Sequence, residues 1–299
     1  MTVGRRRALI AMVVLITLGF GSVLGVGLYL AAPRPAVLGL PPGSLAGAEM
    51  VQFASASGSV LHGWYLPPAR EGGGAVVLMH GYRSNRGVMA ARAAFLHSRG
   101  FGALLFDFQA EGESPGQHIT FGFLEGMDAV AAVAFVRGRA PGERVAAIGV
   151  SLGGAAVTLA PEPLAVDAVV LESVFPTLDS ALRNRLAMYL PHVQAPVAVP
   201  VLAPLMEALM PPILGVGVQE VAPIVGIKRV RAPLLVIAGD QDDRTTIAEG
   251  RALYTAAPEP KQFWEVAGAG HVDLEKLDQA AYWAKVLPFL TAHLQRGTP

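Results

Sequence analysis

The sequence predicts an α/β protein, built on one mostly parallel sheet with helices on both faces, an antiparallel N-terminal edge and a helical cap insertion. Three observations carry this. From residue 75 onward, apolar runs of strand length alternate with stretches of helical periodicity, as expected for strands buried on both faces. Two runs ahead of them, 50–54 and 61–66, flank a turn at Ser57-Gly58 and read as a hairpin at the sheet edge. The chain has 299 residues, 53% hydrophobic and 15% charged, enough for one large domain and too apolar for disorder or nucleic-acid binding.

The elements follow in order. Residues 8–32 carry no charge and are long enough, at about 1.5 Å per residue, to cross a hydrocarbon core of about 30 Å. A cleavable signal peptide would have a shorter apolar region and small residues at the cut. Here Tyr29 or Leu30 falls at −3 for a cut after Ala31 or Ala32, so residues 1–32 are read as a cytoplasmic arginine stub and an uncleaved transmembrane anchor. Arg5, Arg6 and Arg7 precede the span against Arg34 alone just after it, which predicts the N-terminus in the cytoplasm and the body outside. Residues 33–48, rich in proline, glycine and alanine, read as a linker, and 49–299 as the globular domain. Every inferred strand follows Ala48, so that domain is expected to be complete without the anchor.

Within the domain, strands are expected at 75–79, 103–106, 145–150, 168–171, 234–238 and 262–266. Helices are expected at 87–99, 124–137, shortly after 150, at 246–256 and from about 272. The insertion at about 173–232 is far longer than such a connection needs. Residues 186–206 lack Asp, Glu, Lys and Arg, as a second span would, but Pro191, Pro196, Pro200 and Pro204 would break a spanning helix. A single crossing would also put strands of one sheet on opposite sides of a membrane. The insertion is therefore read as a cap of short helices over the strand ends, with Leu202, Leu205, Met206, Leu209, Met210 and Ile213 lining a pocket.

Chemistry is signalled by Gly-x-Ser-x-Gly, the sharp strand-to-helix turn that lifts a serine hydroxyl above a sheet. It occurs twice. Gly149-Val150-Ser151-Leu152-Gly153 follows a strand and opens into small residues suited to a helix start. Gly112-Glu113-Ser114-Pro115-Gly116 follows none, and Pro115 has no N–H to offer an oxyanion. Ser151 is the candidate nucleophile and Ser114 a turn residue. Of seven histidines, His271 alone sits in a glycine loop after the last strand, in the chain order Ser, acid, His; His80 comes too early. Three carboxylates, Asp240, Asp242 and Asp243, follow the strand at 234–238, and Glu172 ends the preceding one. The residues by themselves leave the acid open. Leu152 N–H and Tyr82 N–H, after His80-Gly81, are the expected oxyanion donors.

Taken together, His80-Gly81, Gly149 to Gly153, Gly239-Asp240-Gln241-Asp242, Gly270-His271 and the loop from Asp107 to Ser114 resemble the α/β-hydrolase superfamily. The last loop is similar to the Asp-x-Arg-Gly-x-Gly-x-Ser turn of its serine-aminopeptidase and monoglyceride-lipase-like branch, departing from it at Gln109 and Ala110. The resemblance implies an α/β-hydrolase fold from about residue 50 and selects Asp242 as the acid. The expected function is hydrolysis of a small-molecule carboxylic ester with an apolar acyl group through Ser151, His271 and Asp242. An amide hydrolase with the same triad and a non-catalytic binding protein are the alternatives. No cofactor or metal is implied, membrane contact is expected through the anchor, and the sequence assigns no oligomeric state. Absence of cysteine excludes a thiolate nucleophile.

Overall fold

The computed structural model describes residues 3–271 and 274–295. Helix α1 (Val3–Ala31) comes first, then the hairpin strands β1 (Glu49–Ala54) and β2 (Val60–Leu66). The alternating body runs β3 (Ala75–Met79), α2 (Ala90–Ser98), β4 (Gly102–Phe106), α3 (Phe123–Arg139), β5 (Val145–Val150), α4 (Leu152–Leu159) and β6 (Ala168–Glu172). The cap contributes α5 (Leu178–Tyr189), α6 (Ala195–Leu214) and the single turn α7 (Pro223–Gly226). The chain closes with β7 (Leu234–Gly239), α8 (Ile247–Ala256), β8 (Lys261–Val266), α9 (Leu274–Leu277) and α10 (Gln279–Leu294).

The eight strands form one sheet in the order β8-β7-β6-β5-β3-β4-β2-β1. Only β2 runs against the others, pairing antiparallel with both β1 and β4. The alternation of side chains along each strand sorts them onto two cores. Ala75, Val77 and Met79 of β3 join the core that includes Ala129, Ala132, Ala155 and Ala156 of α3 and α4. Val76 and Leu78 join the opposite one, with Ala93 and Leu96 of α2 and Tyr282, Val286 and Leu290 of α10. Strands β3 to β7 are buried at every position, which is why they read as unbroken apolar runs.

Three expectations are corrected. The final helix is divided, because Asp278 caps α10 by accepting the Ala281 N–H at 2.9 Å; Val272, where it was expected to start, lies outside the described residues. Residues 33–48 are no free linker. Arg34 and Pro35 pair with Glu111 and Gly112, the Leu38 and Gly39 N–H groups donate to Glu113 Oε1 at 2.9 Å each, and Leu45 is buried. Finally, the cap holds one 20-residue helix, α6, that runs through Pro200, Pro204, Pro211 and Pro212. These prolines are exposed, so the carbonyls they orphan lie on the outer face, while Ala203 and Met206 pack inward with Val23 of α1 and Leu182 of α5. Tertiary packing holds a helix that propensity alone would break.

Candidate active site

Ser151 sits between β5 and α4 with φ +51°, a strained conformation for a residue with a side chain. The glycines beside it are sterically required. A Cβ at Gly149 would lie 2.6 Å from the Gly153 carbonyl oxygen, and one at Gly153 only 2.4 Å from that of Met79. Leu152 begins α4, so its N–H has no partner inside the helix and is free to face the site.

Two further strand ends complete the arrangement. The loop after β7 carries Asp242, whose Oδ1 accepts the Arg244 and Thr245 N–H groups, both at 2.8 Å. The loop after β8 carries His271, with Nδ1 2.8 Å from Asp242 Oδ2 and Nε2 3.1 Å from Ser151 Oγ. The serine and the aspartate are both buried. Chemically, this geometry lets the imidazole take the hydroxyl proton while the carboxylate holds its other N–H. Across from Ser151 passes the loop after β3, where a Cβ on Gly81 would lie 3.7 Å from Ser151 Cβ, bringing the Tyr82 backbone to the same mouth.

The rejected candidates stand outside this chain of hydrogen bonds. Glu172 is engaged by Arg92 Nη1 at 2.8 Å and by the Tyr282 hydroxyl, away from His271. Asp240 accepts the Gly268 N–H at 2.7 Å, and Asp243 is exposed. Ser114 Oγ donates to the Asp107 carbonyl at 2.7 Å. His80 is fully buried; its Nε2 accepts the Phe108 N–H at 3.2 Å, so Nδ1 carries the proton and donates to the Gly81 carbonyl at 2.8 Å. Burial lowers its pKa and keeps it neutral. At the departing positions of the Asp107 loop, Gln109 Nε2 donates to Glu125 at 2.7 Å, and Ala110 takes φ +62°, a backbone angle suited to glycine.

The serine opens into a cavity of about 640 Å³. Four of the six expected cap residues line it, Met206, Leu209, Met210 and Ile213, together with Ser151, Leu152, Tyr82 and His271. Leu202 and Leu205 pack instead in the apolar cluster that joins the cap to α1. Sequence reasoning missed Arg83, Arg185 and Arg244, which also line the cavity, and above all Val23, Val26, Gly27, Tyr29, Leu30 and Ala31. The domain is thus not complete from residue 49, as α1 supplies part of the cavity wall.

An uncharacterized protein of Mycobacterium tuberculosis is 34% identical over 266 residues, covering 87% of this chain and 84% of the relative. YfhR of Escherichia coli is 26% identical over 235 residues, covering 76% and 74%. The serine aminopeptidase family, S33, matches residues 71–212. The chain belongs to the α/β-hydrolase superfamily. This hydrolase also has the fold of the Pyrococcus furiosus esterase Pf2001, with a TM-score of 0.72 at 22% identity over 89% of this chain and 98% of the esterase. That likeness concerns the fold alone.

Proposed function

We propose that this hydrolase is a membrane-anchored serine esterase for carboxylic esters with apolar acyl groups. The observation that carries the reading is the pair of hydrogen bonds joining Ser151 Oγ, His271 and Asp242 at the mouth of a mainly apolar cavity. Ser151 attacks the ester carbonyl as His271 Nε2 takes its proton. The Leu152 and Tyr82 N–H groups stabilise the oxyanion, each worth about 3 kcal/mol when preorganised. His271 then protonates the leaving alcohol, and water releases the acyl group by the same steps in reverse order. Helix α1 crosses the membrane with its arginine end in the cytoplasm and the catalytic body outside.

An aminopeptidase activity, the other chemistry open to this triad, requires a group that holds the substrate ammonium. Among the described residues lining the cavity there is no carboxylate, and there are three arginines. This favours the ester. The test is labelling by a fluorophosphonate probe alongside hydrolysis of aryl esters of increasing chain length and of a dipeptide amide. The parent protein should label, hydrolyse the esters and spare the amide, and Ser151→Ala should abolish both label and turnover while staying folded. No label on folded parent protein, or label that survives Ser151→Ala, overturns the assignment.

A further inference from the structure

The cavity has two unlike ends. Arg244 donates its backbone N–H to Asp242 Oδ1 at 2.8 Å, and the Arg185 guanidinium lies 5.6 Å over the Tyr82 ring. They mark the polar end, at the triad. The other end is closed by α1 and α6, where Val23 packs with Met206 and where Val26, Gly27, Met210 and Ile213 complete an apolar lining. The approach is close, since a Cβ on Gly27 would meet Ile213 Cδ1 at 3.2 Å.

The far end of α1 is also tied to the oxyanion loop. The Tyr82 hydroxyl donates to the Leu30 carbonyl at 2.5 Å and Arg83 Nη1 to that of Tyr29 at 2.7 Å, satisfying carbonyls that a helix end leaves free. Arg83 also stacks on the Tyr29 ring at 4.4 Å.

Depth follows from length. A hydrocarbon core of about 30 Å takes about 20 residues of helix, so counted from Ala8 the core ends near Gly27. The cavity-lining stretch of α1 therefore falls at the boundary between acyl chains and headgroups. Tyr29 and Tyr189, both exposed at the cavity mouth, suit that depth.

Helix α6 packs against this stretch, and its outer face is wholly apolar: Pro196, Val197, Pro200, Val201, Pro204 and Ala208 are all exposed. An apolar face beside a membrane span is covered most simply by the same bilayer. The carbonyls orphaned by the prolines place it at the boundary and not in the hydrocarbon centre, since they need water or headgroup donors.

Resting on the ester reading above, we propose that α1 is a wall of the acyl site, and that the substrate is a single-chain lipid ester drawn directly from the leaflet in which the outer face of α6 is embedded. The apolar end then takes the chain as it leaves the leaflet, and the ester meets Ser151 at the polar end.

The test uses the full chain in phosphatidylcholine vesicles with an acetate and a dodecanoyl aryl ester. Gly27→Leu should lower kcat/KM for the dodecanoyl ester at least tenfold while the acetate ester and the fluorophosphonate labelling rate stay within twofold. Gly19→Leu, on the same helix with nothing within 4 Å of the added carbon, should change neither. If Gly27→Leu fails to fold, Val26→Ala, which enlarges the wall, should shift the preferred chain length. Equal effects on both esters, or none from either wall variant, overturn the proposal. A parent that neither labels nor cleaves acetate overturns the ester reading itself. Independently, a tryptophan at Val201 should be quenched by brominated phosphatidylcholine at least twice as strongly as one at Val130 on α3; equal quenching means that α6 is not embedded.

Discussion

Asparagine at position 242 separates a carboxylate that orients His271 from one that merely lies near it. Asp242 presents one oxygen to two backbone donors, Arg244 and Thr245 N–H, and the other to His271 Nδ1, all at 2.8 Å. Asparagine has a single oxygen, and the two backbone donors claim it. Reversing the amide would leave both buried N–H groups unsatisfied at about 1–3 kcal/mol each, so about 2–6 kcal/mol holds the amide nitrogen toward the histidine. Its N–H then donates to Nδ1 and shifts the imidazole proton to Nε2, which faces Ser151 Oγ and can no longer accept the hydroxyl proton. At about 1.4 kcal/mol per tenfold, the competent tautomer falls to roughly one part in 30 to one in 10⁴. Asp242→Asn should therefore lose about 30-fold to 10⁴-fold in kcat with KM little changed, read from initial rates on an aryl ester with circular dichroism to establish the fold. Glu172→Gln, measured alongside, should stay within about threefold in kcat, since Arg92 and Tyr282 hold that carboxylate elsewhere. A loss below tenfold for Asp242→Asn, or a crippling effect of Glu172→Gln, would refute the reasoning.

Two further predictions concern stability. Burial raises the Asp128 carboxyl from 3.8 to about 6, against the hydrogen bonds it accepts from Ser57 and the Gln109 N–H and with the help of the nearby Glu125 charge. A raised carboxyl favours the folded state most below the unfolded pKa, so its contribution declines by about 3 kcal/mol as pH rises from 4 through 6. Asp128→Asn should gain on the parent by that amount between pH 4 and pH 8 in melting experiments; parallel curves would show that Asp128 does not titrate there. Arg92→Leu strands Glu172 and Glu275, each now 2.8 Å from the guanidinium, and should cost about 3–5 kcal/mol in denaturant unfolding at neutral pH. A loss under 1 kcal/mol would mean that the carboxylates find other partners.

The parts of this fold legible in sequence are those where one physical demand dominates. Strands β3 to β7 are buried on both faces, so apolar composition marks them almost to the residue. Ser151 sits in a turn where backbone approach excludes side chains from Gly149 and Gly153, His271 sits in a glycine loop after the last strand, and Pro115 disqualified the competing serine on chemical grounds. The acid was less determined. Three aspartates in four positions differ by which backbone N–H groups they meet, and only the family resemblance singled out Asp242. Leu202 and Leu205 turn away from the cavity because a helix packed on two neighbours divides its apolar residues between them, a division with no sequence signature. The prolines of α6 misled because the usual cost of about 3 kcal/mol applies to a helix held by its own hydrogen bonds, whereas this one is held by packing.

Least legible of all was the part played by α1. A side chain suited to lipid is equally suited to another helix, so the apolar run could not show that its last turns face protein. The docked segment after it gives this contact its functional weight. A free tether of 16 residues would let the body wander by roughly 20–24 Å from the helix end. Here Arg34 and Pro35 pair with the Asp107 loop three residues beyond the helix, and Glu113 pins Leu38 and Gly39. On the proposed anchoring, the serine is thereby held at one height above the bilayer. An ester in a lipid also sits at a defined depth, set by its chain, and a rigid mount converts that depth into selection. A body on a loose tether would have to recognise its lipid by contacts alone; on the proposed anchoring, this one would meet only those whose ester reaches Ser151 while the chain still lies against Val23, Val26 and Gly27.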